Sequence, residues 1–227
     1  MSAFTIQRLY QSLYNTTHNK ILCVGRNYVA HAKELNNPLP KEPLFFDKPH
    51  SSVIRSGEVL YLPRKNEIHH EVELGVMISM TGKNIKAKDW EDYIEGYFVG
   101  IDFTDRDLQN TAKKNGSPWF LSKGQDGFFA VSGFVPRENV RNPHDLDLGL
   151  MINQKYVQRD NTRHMIFQIP QLIEYISKYT TLHQGDIILT GTPSGVGAVS
   201  PGDFVEATLT QQGDRLANIY MKIEKGY

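Results

Sequence analysis

Ile68-His69-His70-Glu71-Val72-Glu73-Leu74-Gly75-Val76-Met77-Ile78 alternates along most of its length in a way that suits an extended strand and no helix. Side chains of a strand point to opposite faces in turn. His69, Glu71 and Glu73 therefore share one face, and His70, Val72, Leu74, Val76 and Ile78 share the other. The spacing predicts a half-buried strand, running on to Met80, with a pair of carboxylates backed by an apolar surface. A Glu-x-Glu pair by itself more often marks the solvated outer face of an antiparallel strand.

Outward from this segment, further strands are predicted at Ile21–Val24, Leu44–Phe46, Val59–Leu62, Tyr97–Phe103, Asp186–Thr190, Phe204–Thr210 and Leu216–Ile223. Leu146–Ile152 and Tyr156-Val157, joined through Asn153-Gln154-Lys155, read as a hairpin. Helical patterns are fewer. A short one covers Tyr28–Leu35 and ends at Asn36-Asn37-Pro38, a second starts near Asp105 and stops before Gly116-Ser117-Pro118, and a third covers Ile169–Tyr179. In the third, Pro170 falls in the tolerated first turn, and Leu172, Ile173 and Ile176 form an apolar stripe. Strands outnumber helices without alternating regularly with them, so the expected class is α+β.

Asp102 adds a third acid, inside the apolar run Tyr97-Phe98-Val99-Gly100-Ile101-Asp102-Phe103, where an unpaired charge is costly. Three carboxylates drawn together repel unless a cation lies among them. Oxygen-only ligands suit a hard dication, Mg2+ or Mn2+, with positions left for water or a chelating substrate.

Bulk properties exclude several classes. Lys plus Arg and Asp plus Glu both total 25 in 227 residues, so there is no basic field for nucleic acid. No apolar stretch is long enough to span a bilayer and no secretory h-region is evident. The single cysteine, Cys23, rules out an internal disulfide framework and suits a reducing compartment, cytoplasmic or mitochondrial. Its apolar surroundings, Ile21-Leu22-Cys23-Val24, favour a buried structural thiol over a nucleophile. Residues 1–20 carry Arg8 and Lys20 but no acid, which suits either a mitochondrial presequence or an ordinary first element. Without repeats or linkers, residues 21–227 are expected to form one domain.

Gly191-Thr192-Pro193-Ser194-Gly195-Val196-Gly197 follows a strand but lacks both the Lys-Ser/Thr ending of a P-loop and the helix that a dinucleotide fold requires. Two readings remain: a wide turn, or a loop whose Thr190, Gly191 and Thr192 offer donors to a small carboxylate. His31 and Glu34, three apart on a helix, share a face. They form either a solvated surface pair or an imidazole held as a base by its carboxylate. His69 and His70 lack the spacing of a zinc site and read as supporting residues. Arg26, Lys48, Arg106 and Lys123 are the cations open to an anionic substrate, although Arg106, between Asp105 and Asp107, also suits a structural ion pair.

Together, Gly25-Arg26-Asn27-Tyr28 with His31 and Glu34, His70 to Leu74, Gly100-Ile101-Asp102 with Arg106 and Gln109, Lys123, and Gly185 to Gly197 resemble the fumarylacetoacetate hydrolase superfamily. Within it the chain is most similar to the fumarylacetoacetate hydrolase domain-containing protein 1 group, the acylpyruvases and oxaloacetate decarboxylases. The resemblance implies a mixed β-sheet roll with few short helices, in a homodimer. It further implies Mg2+ or Mn2+ on Glu71, Glu73 and Asp102, and a catalytic set of His31, Glu34 and Lys123, with the dyad on a lid. Substrate contacts would come from Arg26, Arg106, Gln109, Thr190, Gly191 and Thr192.

The activity so implied is metal-dependent hydrolysis of 3-acylpyruvates to pyruvate and a carboxylate, with oxaloacetate decarboxylation beside it. Oxaloacetate tautomerisation, or isomerisation or hydration of unsaturated 2-oxo diacids, would use the same enolate chemistry. A non-catalytic module that binds a metal or an organic acid is the alternative of a different class.

Overall fold

The structure, a computed structural model, describes residues 19–34, 38–63 and 65–226. The expectations for residues 1–18 and for the helix end at Leu35-Asn36-Asn37 lie outside the described residues. In chain order the elements are β1 (Ile21–Gly25), α1 (Val29–Glu34), β2 (Leu44–Lys48), β3 (Val53–Arg55), β4 (Val59–Leu62), β5 (Ile68–His70), β6 (Val72–Ile78), β7 (Ile94–Asp102), β8 (Thr104–Asp105), α2 (Arg106–Asn115) and α3 (Phe120–Lys123). Then follow β9 (Phe129–Val131), β10 (Val135–Pro136), β11 (Asp147–Ile152), β12 (Lys155–Asn161), α4 (Ile169–Tyr179), β13 (Ile187–Leu189), β14 (Gly197–Ala198), β15 (Phe204–Gln211) and β16 (Asp214–Lys225).

The fold is α+β, built on mixed sheets. An eight-stranded sheet runs β2-β1-β13-β6-β7-β9-β3, with β10 on β7; a five-stranded sheet runs β12-β11-β15-β16-β4; and β5 pairs with β14 and β8 in a small third sheet. None of the helices is long and apolar enough to cross a membrane among the described residues.

β6 is buried at every position. Val72, Leu74, Val76 and Ile78 join the larger core, while Met77 on the other face packs with Ile21, Phe98, Phe129 and Leu189 in a second cluster. The half-buried strand expected from the alternation is thus apolar on both sides. Each buried aliphatic side chain contributes about 2 kcal/mol, and a one-residue slip would exchange the two faces, so the register opposing Glu73 to Gly100 is firmly set. Gly75 is required in that register, since a Cβ there would stand 2.0 Å from the Phe98 ring.

The long strand expected from Ile68 breaks at Glu71. β7 breaks at the same level, after Asp102, and both chains turn together into the small sheet, where Ile68 opposes Asp105 and His69 opposes Thr104. The two lines stay joined at the break, because the Asp102 N–H donates to the Glu71 carbonyl at 2.8 Å. The turning point of both strands therefore presents carboxylates from each. α2 starts immediately after it, with Asp105 as N-cap accepting from the Leu108 N–H at 3.0 Å.

Candidate active site

Glu71, Glu73 and Asp102 converge at the strand break, each with a carboxylate oxygen within 4.8 Å of the others, and all three are buried. Solvated outer-face glutamates are excluded by this burial. Lys123 reaches the cluster from the one-turn helix α3 and donates to Glu71 Oε2 at 2.8 Å and to Asp102 Oδ2 at 2.6 Å. Burial alone would lower its pKa, but the charges of Asp102 and Glu71 outweigh that and hold it at about 12. Glu71 is also paired with Arg106 Nη2. Although desolvation opposes its charge, Lys123 and Arg106 keep Glu71 well below the usual carboxylate range.

Lys48, expected to be open to substrate, is buried beneath the site. Its three N–H donors go to the carbonyls of Phe103, Phe128 and Lys123. Lys48 Nζ also lies 2.7 Å from Asp102 Oδ1, a buried ion pair beneath the site. Glu73 is the least compensated acid. Its polar contact is the Gly191 N–H, 2.7 Å from Oε2, and desolvation followed by the charges of Asp102 and Glu71 pushes its pKa well up. Three buried carboxylates within reach of one another, of which Glu73 forms no ion pair among the described residues, fit a hard dication held by these three acids.

Thr190 and Gly191 serve the protein rather than the cleft. The Thr190 N–H and hydroxyl both donate to the Leu74 carbonyl at 3.0 Å, and the Gly191 N–H is spent on Glu73. The carboxylate that this loop receives is the protein's own. Thr192 does line the cleft, together with Arg26, His31, Arg106, Gln109 and Lys123. Arg106 is held along its helix by Gln109, whose Oε1 accepts from Nη1 at 2.6 Å, and by His69, whose Nδ1 accepts from Nε at 3.1 Å.

The dyad stands over this cleft. His31 Nδ1 lies 3.2 Å from Glu34 Oε2, which leaves Nε2 as the free end of a buried ring among the described residues. Glu34 also accepts from the Gly195 N–H, which reaches both carboxylate oxygens at 3.1 and 3.2 Å, so α1 is tied to the 191–197 loop. Arg26 precedes α1 with a left-handed φ of 59°, a conformation that costs a non-glycine residue energy and aims it where ordinary backbone would not. Asn27, buried beside it, fixes the turn by donating to the carbonyls of Thr190 and Phe167, both at 2.8 Å.

Sequence reasoning did not single out Gln158. Buried on β12, it is fully used: Oε1 accepts from the Val72 N–H at 3.0 Å and lies 2.9 Å from His70 Nδ1, while Nε2 donates to Thr192 Oγ1 at 2.8 Å and to the Pro193 carbonyl at 2.9 Å. It joins both flanks of Glu71 to the Thr192 loop. Nothing in the sequence marks it: Gln158 is buried between exposed neighbours on β12, and its partners come from distant parts of the chain.

A model of the family described as "Fumarylacetoacetate (FAA) hydrolase C-terminal" matches residues 20–219. The chain is 46% identical over 196 residues to the "Oxaloacetate decarboxylase, mitochondrial" of Dictyostelium discoideum, covering 86% of this chain and 90% of the relative. It is 44% identical over 211 residues to the "Oxaloacetate tautomerase FAHD1, mitochondrial" of Arabidopsis thaliana, covering 92% of each. Among solved structures, fumarylpyruvate hydrolase from Pseudomonas aeruginosa in complex with Mn2+ and pyruvate is similar at 30% identity and a TM-score of 0.85, covering 93% of this chain and 94% of that one.

Proposed function

The chain belongs to the fumarylacetoacetate hydrolase family, and from that premise we propose that it is an Mg2+- or Mn2+-dependent enzyme that forms the enolate of oxaloacetate and related 2-oxo acids. The observation that carries this reading is the convergence of Glu71, Glu73 and Asp102 around Lys123 at the floor of a cationic cleft. Held by those three acids, the ion would supply Lewis-acid stabilisation of the negative charge that develops on the substrate's 2-oxo oxygen.

The protein's own residues bind and orient. Lys123 stays protonated and offers charge to the developing oxyanion, while Arg106 and Thr192 receive the carboxylate next to the oxo group. His31 accepts the proton leaving C3, and Glu34 stabilises the resulting imidazolium. Returning that proton to the enolate oxygen completes keto–enol interconversion of oxaloacetate. This is our leading assignment, because relatives sharing nearly half of this sequence are named for oxaloacetate. Loss of CO2 from oxaloacetate, with the electron pair of the C3–C4 bond passing toward the 2-oxo oxygen, gives instead the enolate of pyruvate, which is then protonated at C3, and needs no base. The mitochondrial names of these relatives, with the acid-free residues 1–20, favour a mitochondrial over a cytoplasmic location.

Hydrolysis of 3-acylpyruvates is the second reading, favoured by the dyad. His31 would take a proton from water, the oxygen would add to the distal carbonyl, and the carbon–carbon bond would break with its electron pair passing to the pyruvate enolate, which is then protonated at C3. NMR of oxaloacetate and of a 3-acylpyruvate panel, with Mg2+ and with EDTA, separates the three reactions. Interconversion keeps four carbons, decarboxylation releases CO2, and hydrolysis releases a carboxylate with pyruvate. Negligible turnover of every 2-oxo acid despite ion binding would contradict an enzymatic role. An unchanged acylpyruvate rate in His31→Ala would remove His31 as the base for hydrolysis.

A further inference from the structure

α2 acts as a ruler along one wall of the cleft. Arg106, Gln109 and Lys113 stand at i, i+3 and i+7 and all line it. With a helical rise of about 1.5 Å per residue, Lys113 stands about 10 Å further along the helix axis than Arg106. Two aromatic rings that also line the cleft connect its lysines: Lys123 Nζ lies 4.8 Å from the centre of the Phe46 ring, Phe46 lies 5.5 Å from Trp119, and Lys113 Nζ lies 5.6 Å from Trp119. Lys113 thus marks the outer end of a channel whose inner end is the three-acid cluster.

Charge at the two ends differs. The inner acids have Lys123, Lys48 and Arg106 beside them. Arg26 and Lys113 line the same cleft, close enough for the charge of one to act on the other, and among the described residues neither forms an ion pair. Glu71, the acid that Lys113 feels, is already paired with Arg106 and Lys123. Like charges gathered at a cleft mouth without a counter-charge form a place for an anion.

We propose that Arg26 and Lys113 form a distal anion subsite that takes the second carboxylate of a 2-oxo dicarboxylate, and that Lys113 is the residue that selects such diacids over 2-oxo acids with a neutral tail. This deepens the reading given above and rests on it. The like charges also leave their mark on Lys113, whose pKa is pushed down to about 8 by desolvation, then by Arg106 and Arg26.

The test is calorimetry of the Mg2+-loaded protein with racemic malate and racemic 2-hydroxybutyrate. These stable acids share a chelating head and differ in a terminal carboxylate against a methyl group. Lys113→Gln is expected to weaken malate binding about tenfold, to change 2-hydroxybutyrate binding less than about twofold, and to be rescued by Lys113→Arg. Equal weakening of both ligands, or of neither, would overturn the subsite while leaving the 2-oxo acid reading standing. Failure of the wild-type protein to bind either acid would overturn both.

Discussion

The Gly195 N–H donates to the Glu34 carboxylate, the same group that lies 3.2 Å from His31 Nδ1, so a loop amide holds the acid that orients the buried imidazole. Gly195 can do this only as glycine. Its φ is 90°, and a Cβ there would stand 2.0 Å from the Val157 carbonyl oxygen. Gly195→Ala should destabilise the fold by about 2–3 kcal/mol and loosen the dyad. Denaturant unfolding should register the first effect, and a fall of about tenfold in acylpyruvate hydrolysis the second, with oxaloacetate decarboxylation less affected.

Gln158 ties the strand break to the Thr192 loop, so Gln158→Leu should leave the Val72 N–H and the Pro193 carbonyl unpaired in the interior. A loss of about 3 kcal/mol in stability is expected, together with a drop of about tenfold or more in Mn2+ affinity, because the backbone beside Glu71 is no longer fixed. Equilibrium unfolding and Mn2+ titration monitored by electron paramagnetic resonance check these outcomes separately.

Lys113 sets a pH dependence of anion binding. Its ammonium is charged below, and neutral above, a pKa of about 8, whereas Glu71 is held ionised and Lys123 is held protonated near 12. Malate affinity should therefore fall between about pH 7 and pH 9, with the midpoint displaced upward when the anion is bound, since the anion favours the charged lysine. Lys113→Arg, which stays charged, should show a flat profile in the same calorimetric series.

The Cys23 thiol should be inert in the folded protein. Burial, and then the negative charge of Asp102, push its pKa well above the ordinary thiol value, so thiolate is scarce and access is closed. Reaction with a chromogenic disulfide should be absent under native conditions and complete after unfolding in denaturant.

Local signals carried much of the fold. α4 spans Ile169–Tyr179 as the sequence predicts, because Pro170 in the first turn and an apolar stripe act within that segment, where the Gln168 N–H also donates to Gln171 Oε1 at 2.7 Å. The β11–β12 hairpin was legible for the same reason. Strand β6 was legible as a strand but not in its burial, since Phe98, Phe129 and Ile21, which cover the Glu73 face, come from distant parts of the chain. The break at Glu71 is likewise made by long-range pairing with β8 and β14. Strands as short as β3, β9 and β14 fall below the length at which alternation can be read.

At the site, Glu71, Glu73 and Asp102 could be singled out because acids in apolar strands are chemically conspicuous. Lys48, Lys113 and Gln158 could not be given their places, since what distinguishes them is the partner each meets across the fold. Thr190 and Gly191 show the converse. Their donors suit a carboxylate, and only the folded chain reveals that the carboxylate is Glu73.

Mn2+ titration of the wild-type chain and of Glu73→Gln, followed by calorimetry or electron paramagnetic resonance, shows whether the three buried acids hold a dication. Among the described residues Glu73 forms no ion pair, and a glutamine oxygen can still accept from Gly191, so this variant should stay folded and be at least as stable as its parent without the ion. A single Mn2+ per chain should bind saturably, with an affinity weakened about a hundredfold or more by Glu73→Gln. Equal Mn2+ affinity in the two proteins, or no binding in either, would rule out the three-acid site.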